Sequence, residues 1–145
     1  MGLIKDFLNK FKHGEDVQQN IKNSISIGAR QSDYFKGKQI SGIIINNRYY
    51  ECNAWAHMLE IFVRVIVNEE NYMTLIEYLK DNSLLGITFD ERDFLHRVHF
   101  AVKFDKYDEV IYVTTHNTTI NKIELMKNMC KILNVNINDI RVILK

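Results

Sequence analysis

Six polar residues in a row are the first candidates for chemistry. Thr114, Thr115, His116, Asn117, Thr118 and Thr119 lie between a β-branched stretch, "VIYVTT", and a helix-like one, "INKIELMKNMCKIL". Hydroxyls and an imidazole at a helix start allow three arrangements. Thr118, Thr119 or Asn121 can cap the first-turn amides, and an Asn121 cap would set Glu124 at the reciprocal capping-box position. The same amides can cradle an anion, with Thr115, His116 and Thr118 around a phosphate. His116 can also act as the base of a small hydrolase. Capping alone explains the cluster without a ligand.

A second set alternates along "FLHRVHFAVKF". Arg97, His99, Ala101 and Lys103 fall on one face of an extended chain, with Val98, Phe100, Val102 and Phe104 on the core face. Arg48, Tyr49 and Tyr50 stand in another β-rich run. If the two runs are neighbouring strands, cations and aromatics share a sheet face able to hold phosphates and stack bases. The competing reading is a solvated polar face or an oligomer interface. His99 is the other candidate base for a hydrolase.

Several chemistries lack their residues. His96 and His99 are three apart on an expected strand, so they point to opposite faces. No HExxH or Cys/His array occurs, and the P-loop's Gly-rich stretch and Lys are missing. A restriction-type Mg²⁺ site needs an acid-x-Lys pair on a strand, and no such triplet is present. The G-x-S-x-G elbow is also missing. Asp90, Glu91 and Asp93 cluster, but in a charged loop. His57 lies one turn from Glu60 on an apolar helix and reads as a structural, hydrogen-bonded histidine. No cofactor is implied.

The elements that must position these residues follow from periodicity. "ISGIII" and "RYYEC" flank Asn46-Asn47, a hairpin signal. Asn53 offers an N-cap to "AWAHMLEIFVRVIV", where Trp55, Met58, Leu59, Phe62 and Ile66 form a stripe at helical spacing. Trp55 is expected to be buried between helix and sheet. "YMTLIEYLK" reads as a second helix and "DNSLLGITFDERD" as a loop. The helix after Thr118 offers Ile120, Ile123, Met126, Met129, Cys130 and Leu133 to the core. "IRVILK" makes a last strand. Upstream, Leu3, Ile4, Phe7, Leu8 and Phe11 recur at helical spacing, an amphipathic arm suited to self-association. Residues 13–39 read as a loosely packed helix and linker. The division is an arm and linker over 1–39 and a body over 40–145. The class is α+β, a mainly antiparallel sheet with helices on one face.

Totals narrow the setting. The chain has 145 residues and a net charge of +1, one domain's length with no overall drive toward nucleic acid. Extended duplex binding is disfavoured, although a local nucleic-acid site remains an alternative. Cys52 and Cys130 form no CxxC pair, which fits a reduced, cytoplasmic setting. No apolar run reaches the ~18 residues of a membrane span. "MGLIKDFLNKF" lacks a signal-peptide cleavage site, and Asp6 stands where myristoylation wants Ser or Thr. The absence of Pro beside abundant Asn, Ile and Lys suggests an AT-rich source, a low-GC bacterium or its phage.

"INNRYYECNAWAHMLEIFVRVI" and "VIYVTTHNTTINKIELMKNMCKIL", followed by "VNINDIRVILK", resemble small uncharacterised bacterial α+β domains at the C-terminal end of restriction- or defence-type proteins. The resemblance spans residues 40–145. Trp55, Tyr112, Thr115 and Thr118 match its pattern, whereas His116 and Asn117 depart from it. It implies an accessory or binding role and supplies no catalytic residue. The expectation is therefore a non-enzymatic, homo-oligomeric module. It would recognise a protein partner or a small anionic ligand such as a nucleotide, in a bacterial or phage defence or counter-defence setting.

Overall fold

Asn46 and Asn47 both adopt positive φ, 51° and 66°, the backbone of a two-residue hairpin turn that matches strand twist. They join β2 (Ile40–Ile45) to β3 (Arg48–Glu51). The computed structural model describes residues 17–145. The arm residues Leu3, Ile4, Phe7, Leu8 and Phe11, and the self-association read from them, lie outside the described residues.

The fold is α+β, with two antiparallel sheets. The first has the order β1-β7-β2-β3, where β1 is Ile25–Ser26 and β7 is Ile140–Leu144. The second has the order β4-β6-β5, from Ile87–Thr88, Ile111–Thr114 and His99–Val102. The helices are α1 (Val17–Lys22), α2 (Trp55–Ile66), α3 (Tyr72–Asp81) and α4 (Thr119–Ile132). Among the described residues no helix is long and apolar enough to cross a membrane.

The main core lies where α2 packs on β2 and α4. Met58, Leu59, Ile61, Phe62 and Val63 are buried along α2. Ile43 and Ile45 of β2 and Val142 of β7 meet them from the first sheet. Ile44 points to the opposite face, opposite Tyr49 and Arg141, and is buried there as well. Tyr72 ties α3 to the second sheet. Its hydroxyl donates to the carbonyls of Val102, 2.9 Å, and Glu109, 2.7 Å. Burial, and then the charge of Glu109, push that hydroxyl's pKa up to about 12.

Four local expectations change. Asn53 does not cap α2: Ala54 occupies the cap position without a side-chain bond, and the helix starts at Trp55. At this helix end Trp55 is half-buried, because its indole N–H reaches out to the Lys38 carbonyl at 2.8 Å. The stretch before residue 40 is packed rather than loose. Ile25–Ser26 pairs with β7, and Ile27 and Phe35 are fully buried. Arg141 holds this stretch through Ser24, with Nε–Oγ at 2.7 Å and Nη2 to the carbonyl at 3.0 Å. The "loop" after α3 contains β4 and a 3-10 turn, Glu91–Phe94, both too short to leave a periodic signal.

Candidate functional site

The β6–α4 turn resolves the opening cluster. Thr118 caps α4, its Oγ1 accepting from the Asn121 amide at 3.1 Å. Thr114 is fully buried. Its hydroxyl donates to the Val98 carbonyl at 2.8 Å and accepts from the His116 amide at 3.0 Å. The Thr115 amide donates to the same Val98 carbonyl at 2.9 Å. Thr114 and Thr115 thus stitch the turn to the start of β5. His116, Asn117 and Thr118 line an open depression of about 500 Å3. Behind it, the buried Lys122 ammonium donates to the Asn117 carbonyl. Burial lowers the Lys122 pKa, and no carboxylate among the described residues pairs with it.

β5 carries the second cluster. The ladder with β6 covers only His99–Val102, so Arg97 and Lys103 bracket the strand, both exposed. His99 points back toward the 3-10 turn. Its Nε2 lies 2.9 Å from Glu91 Oε2 and its Nδ1 2.8 Å from the Arg97 carbonyl. Both partners are acceptors, so the imidazolium satisfies both and the neutral ring only one. The Glu91 bond first, then that carbonyl, raise the His99 pKa. The imidazolium form has no lone pair with which to act as a base; the neutral ring has one. Arg97 and Lys103 form no ion pair among the described residues, in contrast to Arg92, which sits 2.7 Å from Asp90.

The hairpin does not join this cluster. Arg48 and Tyr50 lie on β3 in the first sheet, and β5 lies in the second. Tyr50 is buried against the main core rather than presented to a ligand. No face shared by Arg48, Tyr50 and the β5 cations forms. His57 is exposed rather than enclosed. Both cysteines are buried, and burial drives Cys52 up to about 12 and Cys130 to about 11, which suppresses the thiolate nucleophile. Among the described residues no three His, Cys, Asp or Glu side chains come together as metal ligands would.

The structure adds residues that pattern reading passed over. Leu85, Phe89, Leu95 and Val98 are exposed, Val98 at 70% and Leu95 at 68%. Alternation assigns Val98 to the core face. It precedes the ladder, at a sheet end where the core no longer covers it. The Gly86 carbonyl accepts from the Thr114 amide at 2.9 Å, and the Val98 carbonyl accepts from the Thr115 amide on the other side. Leu85 and Val98 therefore flank the same end of β6, beside the turn that ends in His116. Glu91, the partner of His99, was visible only as part of an acidic cluster. Comparisons with protein-family models, with curated proteins and with solved structures give no match.

Proposed function

We propose that this chain is a non-enzymatic binding module that recognises a protein segment at the rim of its three-stranded sheet. One observation carries the reading. The large apolar side chains exposed among the described residues, Leu85, Phe89, Leu95 and Val98, all fall within one stretch around β4 and the start of β5. Single exposed apolar residues are ordinary, but here Leu85 and Val98 flank one end of β6, and Phe89 and Leu95 lie in the connection that joins them, a grouping that supports a recognition surface. Arg97 and Lys103 border the stretch without ion partners among the described residues, as the polar rim of an interface does. The likeness to accessory domains of defence-type proteins agrees with a binding role in that setting.

The test is selection from a random peptide display library on the parent protein, with counter-selection on a Leu95→Lys, Val98→Lys variant. Both positions are exposed, so the variant should melt with the parent. Peptides that bind the parent and lose the variant support the module. Equal binding to both, or no enrichment, removes it. Native mass of the unliganded protein separates a second copy from a foreign partner.

A second reading rests on the depression lined by His116, Asn117 and Thr118 at the start of α4. There a small anion such as a nucleotide phosphate would meet first-turn amides. Titration of the parent and His116→Ala with a nucleotide panel tests it, and silence in both excludes it.

A further inference from the structure

The free edge of β5 carries an inference that rests on the module reading and sharpens it. The hydrogen bond from the Thr115 amide to the Val98 carbonyl fixes the ladder's phase. With His99 opposite Thr114 and Phe100 opposite Val113, the Val98 carbonyl accepts from the β6 side and residues 100 and 102 exchange bonds with β6. Their neighbours His99 and Ala101 turn their amides and carbonyls away from it. β6 is the one strand partner of β5 among the described residues. Among the described residues the strand is thus an open edge, with two unused donors and two unused acceptors.

We propose that this edge is a strand-addition site for an acidic, extended segment of a partner protein, which pairs with His99 and Ala101 while Arg97 and Lys103 select its charge. Main-chain pairing gives affinity and alternate side chains give specificity in this mode of recognition. Charge complementarity decides the occupant. His99 is already matched by Glu91 at 2.9 Å, so the charge left over on this strand is that of Arg97 and Lys103. A second copy is the wrong partner. Antiparallel pairing of β5 with itself about Phe100 would set Arg97 against the other copy's Lys103, a like-charge pair that opposes association. Carboxylates on every second residue of an incoming strand would meet both cations. Its intervening residues would lie on the side of Val98 and Phe100, where apolar side chains fit.

The probe is a blocked peptide, Glu-Val-Glu-Thr-Glu-Val-Glu, whose own charge keeps it from self-pairing, titrated against the full chain by calorimetry or fluorescence. Its Lys-for-Glu counterpart is the charge control. Two further versions carry N-methyl groups on one or the other alternate set of amides. Edge pairing predicts that one methylated set loses binding by about tenfold or more, as two lost hydrogen bonds should cost, while the other binds like the parent peptide. Ala101→Pro removes an outward amide and leaves the β6 ladder intact, because proline is tolerated on an edge with its nitrogen facing solvent. It should weaken the acidic peptide similarly. Arg97→Glu with Lys103→Glu should abolish its salt dependence. The methylated peptides need no variant, so a misfolded Ala101→Pro protein does not blunt the test. Equal binding of both methylated sets, or equal binding of acidic and basic peptides, overturns strand addition and leaves the rim module standing. So does absence of acidic-peptide binding where library peptides still engage Leu95 and Val98. If library selection also fails, the module itself falls.

Discussion

The two sheets treat the same kind of sequence differently. In the first, β2 reads Ile43, Ile44, Ile45, and all three side chains are buried, two toward α2 and one on the opposite face. In the second, Val98 just before β5 and Phe100 and Val102 within it alternate with equal apolar regularity, yet exposure falls from 70% at Val98 to 5% at Val102. Alternation specifies which face a residue takes. It does not specify whether another layer covers that face. The four-stranded sheet is covered, and its hydrophobic pattern is spent on stability. The three-stranded sheet runs past its cover, and the remainder of its pattern is exposed.

The sharpest way to break this contrast is to truncate one residue on each side of it. Phe62, fully buried on α2, should cost about 3–5 kcal/mol when replaced by Ala, the range for large aromatic truncation in a core. Val98→Ala should stay within about 0.5 kcal/mol, as exposed substitutions do. Urea denaturation of both variants measures the pair. Similar losses at the two sites would mean that Val98 is covered in solution, and the rim would cease to be a recognition surface.

A smaller effect probes the joint between the regions. Tyr72→Phe removes the hydroxyl that donates to Val102 and Glu109. Val102 keeps its ladder bond to β6, so mainly the Glu109 carbonyl is orphaned. The expected loss is about 1–2 kcal/mol. The parent also has an alkaline limit. Its Tyr72 is held up at about 12, while an unfolded tyrosine ionises near about 10. The unfolded chain therefore releases this proton first, and stability declines as pH rises above that lower value. Tyr72→Phe should lose that part of the decline. An unchanged alkaline limb would show that Tyr72 is not the group responsible.

Smaller again is the cap. Thr118→Ala should cost about 1 kcal/mol and Thr118→Ser much less, the ordinary ranking for N-caps. Thermal melts of the two variants decide it. Equal losses would mean that the hydroxyl is not what holds the start of α4.

These contrasts also show why the sequence was legible in some places and not in others. The Asn46-Asn47 turn, the α2 stripe and the cap of α4 are local. Each depends on residues within a few positions, and all three kinds of signal lead to the right element type. Asn53 misled because a capping residue type beside an apolar run is only a propensity, and Trp55 took the first helical position with its own bond to Lys38. β1 was missed because Ile25–Ser26 is two residues long and is held from a distance, by β7 and by Arg141 through Ser24. For the site, the sequence placed Arg97, His99 and Lys103 near one another, since that follows from strand period. It did not pair His99 with Glu91 across an irregular turn. Nor could it separate Tyr50 from β5, because sheet membership is a property of long-range topology.

The finest test of the rim concerns that His99–Glu91 contact. With the folded pKa of His99 raised above its ordinary value, the contact stabilises the fold fully below that ordinary value, near about 6.5. The contribution fades as pH rises through the folded pKa, where the imidazolium is lost and only one of its two acceptors can still be served. The Glu91→Gln variant keeps the shape of the turn and removes the carboxylate. Its His99 pKa, followed by NMR of the ring protons, should fall toward the ordinary value, and the pH window of the contribution should narrow with it. Because His99 lies at the surface, the stability change should be small, and the titration is the informative readout. A His99 pKa equal in parent and variant would show that the ring does not hold Glu91 in solution. Glu91 would then leave a third cation on β5 unmatched beside Arg97 and Lys103, and the preference for acidic peptides should strengthen with protonation. If the pKa falls in the variant as expected, the freed His99 should add less to that preference at neutral pH than Arg97 or Lys103 does, and the affinity for the acidic peptide should rise only on acidification.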